Sequence, residues 1–176
     1  IMILGDTGAG KSSLTLSYVL GGAGFLTDDL TPVIFREEKP TVVPLPRRMK
    51  LREGAAQQMN VDGGLLTDAE AGTGKKYLRV KTAEVADHYL DIVLKIGVGN
   101  VSRPEFHEPS PPEAFSIMRS EICSWEILAG MPDTEADYLQ QLVRIVRQVR
   151  VIRVVRPAAI EVTRFHKAVA NYLSQF

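Results

Sequence analysis

Gly5, Gly10, Lys11 and Ser12 fall at the spacing GxxxxGK[ST], with Gly8 inside the loop, and in that pattern each residue type has a chemical task. Glycine tolerates backbone angles that a side chain forbids, so Gly5, Gly8 and Gly10 allow successive N–H groups to converge on an anion at a helix N-terminus. A lysine at position 11 reaches the β and γ oxygens of a nucleoside triphosphate as a point charge, and the Ser12 hydroxyl is a magnesium ligand. The whole run Gly5, Asp6, Thr7, Gly8, Ala9, Gly10, Lys11, Ser12 and Ser13 is therefore expected to bind nucleotide. The competing reading is a glycine-rich turn before a surface helix. Against it stand the apolar run 1–4, which suits a strand, and the apolar positions Leu14, Leu16, Tyr18, Val19 and Leu20, which suit a mostly buried helix over 12–20 stopped by Gly21-Gly22.

The second chemical feature is the pair Asp28-Asp29, at the end of a short strand expected over 25–27. Strand carboxyl ends line the ligand crevice of an open α/β sheet. Two carboxylates there can divide the work, one holding Mg²⁺ and the other accepting the proton of an attacking hydroxyl. Away from a phosphate loop the same pair would read as a turn or a cap. The third feature is basic: Arg47, Arg48, Lys50 and Arg52, interleaved with Met49 and Leu51. Alternation places Arg48, Lys50 and Arg52 on one face of a strand and Arg47, Met49 and Leu51 on the other. Beside a triphosphate, Arg47, Arg48 and Arg52 are candidate phosphate or substrate contacts; otherwise they form a solvated face.

Other reactive side chains read as structural. His88, His107 and His166 lack metal-ligand spacing with one another or with Cys123. Cys123, beside Ile122 on an expected helix, reads as a small buried apolar residue, and Trp125 as core. Arg150, Arg153 and Arg156 read as a solvated strand edge, with the flank of a peptide groove as the alternative.

The elements that must position these residues follow from periodicity. Strands are expected over 33–36 and 41–45, joined by a charged turn at 37–40, with Pro44 and Pro46 marking an edge. Residues 54–76 carry Gly63-Gly64 and Gly72-Thr73-Gly74 with little periodicity and read as a mobile loop. A strand is expected over 91–96, a Pro-rich connector from Pro104 to Pro112, and helices over 113–128 and from Asp133 or Thr134 to about Gln148. A strand over 150–155, broken by Pro157, and a helix through Ile160, Phe165, Val169, Tyr172 and Leu173 complete the chain.

With 176 residues and 45% hydrophobic composition, the chain can bury one sizeable core, so a single domain over 1–176 is expected. Lysine and arginine number 21, as do aspartate and glutamate, which gives no global attraction to nucleic acid or acidic membranes. One cysteine excludes an internal disulfide and fits a reducing, cytoplasmic setting. No run approaches the roughly 18 apolar residues of a membrane span. The chain opens inside a strand without an initiator methionine, so an N-terminal portion is expected to be missing.

The run GDTGAGKSS, the helix after it, Gly21-Gly22, Phe25-Leu26-Thr27 and Asp28-Asp29 resemble the catalytic core of the HPr kinase/phosphorylase family. Phosphoenolpyruvate carboxykinase carries a related loop and acidic pair. The likeness is specific over residues 1–30. It is looser from Val42 through Leu51, where VVPLPRRMKLR is similar to a Pro-Arg-rich strand of HPr-kinase-like enzymes of lasso-peptide gene clusters, which phosphorylate a precursor peptide. The resemblance implies an α/β P-loop fold of the phosphoenolpyruvate carboxykinase/HPr kinase type, with a mixed sheet and flanking helices. It implies ATP and Mg²⁺ as cofactors, Asp28 as general base, Lys11 at the transferring phosphoryl group, and Asp29 with Ser12 as magnesium ligands. It further implies a serine or threonine hydroxyl of a peptide or small protein as acceptor, and is compatible with a homo-oligomer. The Glu-Ile-Arg-Gly-Leu-Gly stretch of the bifunctional enzymes has at best a remnant here, Lys50-Leu51-Arg52-Glu53-Gly54, which weighs against HPr as substrate and against phosphorolysis. The alternatives are an HPr serine kinase/phosphorylase, a small-molecule P-loop kinase, a nucleotide-gated switch or motor ATPase, and a degenerate binding module. The ATPase would carry an aspartate after four apolar residues, which does not stand out; the binding module would not need Lys11, Ser12, Asp28 and Asp29 intact.

Overall fold

A computed structural model describes residues 1–45, 48–68, 74–80, 83, 86–121 and 132–176. In chain order its elements are β1 (Met2–Gly5), α1 (Lys11–Leu20), β2 (Val33–Arg36), β3 (Lys39–Val42), β4 (Met49–Arg52), α2 (Glu53–Gln58) and a 3-10 turn at Gly63–Leu65. There follow β5 (Leu66–Asp68), β6 (Lys75–Leu78), β7 (His88–Tyr89), β8 (Ile92–Gly99), β9 (Glu105–His107), α3 (Pro111–Ser120), α4 (Pro132–Gln148), β10 (Arg150–Pro157) and α5 (Val162–Leu173). The fold is mixed α/β, with a mixed sheet and flanking helices, and it divides into two compact units.

The first unit comprises Ile1–Ala9, Phe35–Thr41 and Tyr89–Pro157. Its sheet runs β1-β8-β10-β9, with β1, β8 and β10 parallel and β9 antiparallel to β10. Near-continuous apolar runs are what strands covered on both faces require; Val93, Leu94, Ile96, Ile152 and Val154 are fully buried. The register pairs Gly5 with Ile96 and Ile96 with Val154. Arg156 therefore stands two residues beyond the level of Gly5, at the end where the chain leaves β1 for the glycine loop. Helix α3 opens with a capping-box pair, the Ser110 N–H and hydroxyl both donating to the Glu113 carboxylate, and with Pro111 in its first turn. Helix α4 holds the tip of the β2–β3 hairpin: Arg144 donates to Glu38 at 2.6 Å and its guanidinium lies 3.9 Å from the centre of the Phe35 ring. The hairpin turn needs two residues with positive φ, and here both are glutamates, Glu37 at 47° and Glu38 at 62°.

The second unit comprises Gly10–Ile34, Val42–His88 and Ala158–Phe176. Its sheet runs β4-β6-β5, all neighbours antiparallel, so among the described residues β4 is an edge strand. Leu16, Phe25, Met49, Leu51 and Leu78 form its core, with Val19, Met59, Val61, Leu66 and Val80 packed around them. Met49 and Leu51 point inward while Lys50 and Arg52 do not, the alternation a half-buried strand requires. Helices α1 and α5 meet through Ser17 Oγ and His166 Nδ1 at 2.6 Å, with the Tyr18 ring 4.3 Å from that imidazole.

Several expected elements are corrected. Residues 25–27 are not a strand: Phe25 makes an isolated bridge, its carbonyl accepting from the Ala83 N–H at 2.9 Å. The stretch 54–76, expected as a loop, holds most of α2, the 3-10 turn, β5 and the start of β6; residues 69–73 lie outside the described set. Strand β3 ends at Val42 rather than 45, because Pro44 cannot donate to a ladder. The Pro-rich connector contains β9, held by β10. Consequently β10 is no sheet edge but lies between β8 and β9, which removes the edge reading for its arginines. Ile122, Cys123, Trp125 and Leu128 lie outside the described residues. Among the described residues, no helix is long and apolar enough to cross a membrane.

Candidate functional site

The glycine loop adopts the backbone its sequence anticipates. Gly5, Gly8 and Gly10 have φ of 148°, 86° and 101°, angles open to glycine and strained for other residues. The Ala9 N–H donates to the Asp6 carbonyl at 3.0 Å, closing the turn. At Gly5 there is a second reason for glycine: a Cβ there would lie 2.5 Å from the Ile96 carbonyl oxygen. Gly10 is the N-cap of α1 and brings no side chain to the helix end, so no side-chain cap bonds the first helical N–H groups there. Lys11, Ser12 and Ser13 begin the helix half-buried, whereas Asp6, Thr7 and Gly8 are exposed.

Two cations that sequence reasoning did not connect with the loop meet it from neighbouring strands. Arg156 Nε donates to the Ala9 carbonyl at 2.7 Å and Nη2 to the Gly8 carbonyl at 3.3 Å, while Nη1 donates to the Pro157 carbonyl at 2.9 Å. Burial pushes the Arg156 guanidinium below its ordinary pKa, which still leaves it charged at neutral pH. From β8, Lys95 pairs with Glu121 and lies 3.7 Å from the Asp6 carboxylate.

The acidic pair sits on a tight turn. The Leu30 N–H donates to the Asp28 carbonyl at 2.6 Å, and Asp29 between them has φ of 56°. This is a γ-turn of the rarer, strained hand. A contact between the Thr27 and Thr31 hydroxyls at 2.7 Å spans it. The Asp28 carboxylate is half-buried and accepts two backbone N–H groups, from Lys50 at 2.7 Å and from Asp29 at 3.2 Å; Asp29 itself is exposed. Burial pushes the Asp28 carboxyl up and the neighbouring Asp29 charge adds to the rise, while the Lys50 N–H opposes it.

A cavity of about 320 Å³ gathers Asp28, Asp29, Arg48, Lys50 and Tyr77. Of the basic cluster, Arg48 thus joins the acids, Arg52 is exposed and does not line the cavity, and Arg47 lies outside the described residues. Lys50 belonged to the basic face but was not singled out; Tyr77, one residue past the stretch read as a loop, was assigned to no element. His88 and His107 lie on β7 and β9, and His166 is engaged with Ser17 and Tyr18. Among the described residues, no group of three or more His, Cys, Asp or Glu side chains could hold a metal. Magnesium beside phosphates takes only one or two protein oxygens, and the Ser12 hydroxyl and Asp29 carboxylate are donors of that kind, but no residue of the glycine loop lines the cavity that gathers Asp28 and Asp29. Searched against family models, curated proteins and solved structures, the chain finds no match.

Proposed function

We propose that the chain is an ATP- and Mg²⁺-dependent phosphotransferase of the HPr kinase-like P-loop type. Its acceptor is a serine or threonine hydroxyl of a peptide or small protein, with a lasso-peptide precursor as the substrate that the sequence resemblance favours. One observation carries the reading: a GxxxxGK[ST] loop whose glycines take positive φ and which runs directly into the N-terminus of α1, with Lys11 and Ser12 in its first turn.

In this reading the loop N–H groups and Lys11 bind the β and γ phosphates and orient the terminal phosphoryl group. A magnesium ion, held by Ser12 and Asp29, would offset charge on the phosphate oxygens. The acceptor oxygen forms a bond to the γ phosphorus as the bond from that phosphorus to the oxygen bridging to ADP breaks. The hydroxyl proton passes to the Asp28 carboxylate. Partial burial supports Asp28 in this role, since a carboxylate with a raised pKa is a stronger base. Arg48, Lys50 and Tyr77 line the same cavity and would contact the acceptor. At about 320 Å³ the cavity is at the lower end of small-ligand sites, a size suited to one hydroxyl side chain on a longer acceptor.

The test is an acceptor screen read by mass spectrometry: serine-containing peptides, small proteins and hydroxylated metabolites, each with ATP and Mg²⁺. A phosphorylated peptide that disappears with Lys11→Ala supports the reading. Phosphorylated metabolites alone replace the acceptor class, and ATP turnover without any phosphorylated acceptor turns the reading to an ATPase.

A further inference from the structure

Three donors of one guanidinium are spent on backbone carbonyls at the junction of β10 and the glycine loop: Ala9 at 2.7 Å, Gly8 at 3.3 Å and Pro157 at 2.9 Å. The Pro157 bond ties the fork to its own strand and so fixes the plane from which the other two bonds leave. In a trans peptide unit the C=O and N–H point in opposite directions, and among the described residues there is no cis bond. Fixing a carbonyl on one side of the loop therefore fixes the following N–H on the other. The first of the two units shows this: the Gly8 carbonyl faces Arg156, and the N–H of Ala9, in the same peptide plane, points away and closes on the Asp6 carbonyl at 3.0 Å. The second follows the same geometry. With the Ala9 carbonyl on Arg156, the Gly10 N–H is turned to the opposite face, next to the start of α1.

A loop of glycines has many conformations of similar energy, and a flipped peptide would present a carbonyl oxygen where an anion needs a donor. We infer that Arg156 is a positioning residue for nucleotide binding: its bond to the Gly8 carbonyl locks the turn that the Ala9 N–H closes on Asp6, and its bond to the Ala9 carbonyl presets the Gly10 N–H for a phosphate before the ligand arrives. The inference rests on the nucleotide-binding reading of the loop proposed above. Arg156 acts through the loop and touches no phosphate in this account. A lysine cannot replace it, because a single ammonium lacks the planar fork that spans two successive carbonyls while bonding its own strand.

The experiment is calorimetric titration of ATP into the wild-type chain and into Arg156→Ala, Arg156→Lys and Lys11→Ala, with melting temperatures measured in parallel. Arg156→Ala should weaken ATP binding by about 10- to 100-fold, the scale of lost charged hydrogen bonds, and Arg156→Lys should recover little of it. Millimolar methylguanidinium should restore affinity to Arg156→Ala and leave the wild type unchanged. In steady-state assays the rise should fall on KM for ATP far more than on kcat. Wild-type affinity in Arg156→Ala, with affinity lost in Lys11→Ala, overturns the inference and leaves the nucleotide reading standing. Wild-type affinity in both variants, or no ATP binding by the wild type, overturns the nucleotide reading instead. Weakened binding that neither methylguanidinium nor lysine improves, with a melting temperature that falls in step, assigns Arg156 a purely structural role and also overturns the inference.

Discussion

A carboxylate drawn partly out of water gains basicity and gives up some of its contribution to folding, and Asp28 is in that position. Its folded pKa is raised by burial. A group shifted in that direction contributes stability below its unfolded pKa and loses that contribution as pH rises through the folded value. At neutral pH the charged form is therefore the less favourable one for the fold. Asp28→Asn keeps an oxygen to accept the Lys50 N–H while removing the charge. We expect it to lower phosphoryl transfer by about 10²- to 10⁴-fold and to leave the melting temperature at pH 7 unchanged or higher. Wild-type activity should climb with pH through the raised pKa and then level off, as initial rates across pH would show. The loop glycines, Lys11, Ser12 and the acidic pair were legible because a local pattern names them. Lys50, 22 residues from Asp28, and Arg156, 147 residues from Ala9, were not, because only tertiary structure supplies their partners.

At the scale of elements, strands β8 and β10 and helices α1 and α5 could be read from apolar periodicity, since burial on one face or both leaves a trace in sequence. Elements that depend on a distant partner left none. Strand β9 is a three-residue strand among prolines, held by β10, and α2 is a six-residue helix too short to show a period. The expected loop over 54–76 failed for the same reason: β5 pairs with β6 and β6 with the distant β4, and glycines between β5 and β6 mask the alternation. Two substitutions probe these elements. Gly5→Ala puts a methyl against the Ile96 carbonyl at an angle alanine avoids, so it should cost about 1–3 kcal/mol in urea unfolding. Leu51→Ala empties the centre of the β4-β6-β5 unit, where Leu51 is 1% exposed, and should cost about 2–5 kcal/mol by the same measurement.

Over the whole molecule, charges of opposite sign are equal in number, so no long-range repulsion keeps copies apart, and exposed strand margins must be protected locally. Strand β4 is such a margin. Its Lys50 N–H, turned away from β6, would be an open rung for another chain's backbone, but the Asp28 carboxylate fills it at 2.7 Å and the exposed Arg48 and Arg52 flank it. We expect Asp28 to guard this rung against templated self-assembly as well. Asp28→Ala, which bares the rung, should form thioflavin-positive aggregates on storage, whereas Asp28→Asn, equally impaired as a base, should stay dispersed. Loss of chemistry and loss of colloidal stability would then separate in two substitutions at one position.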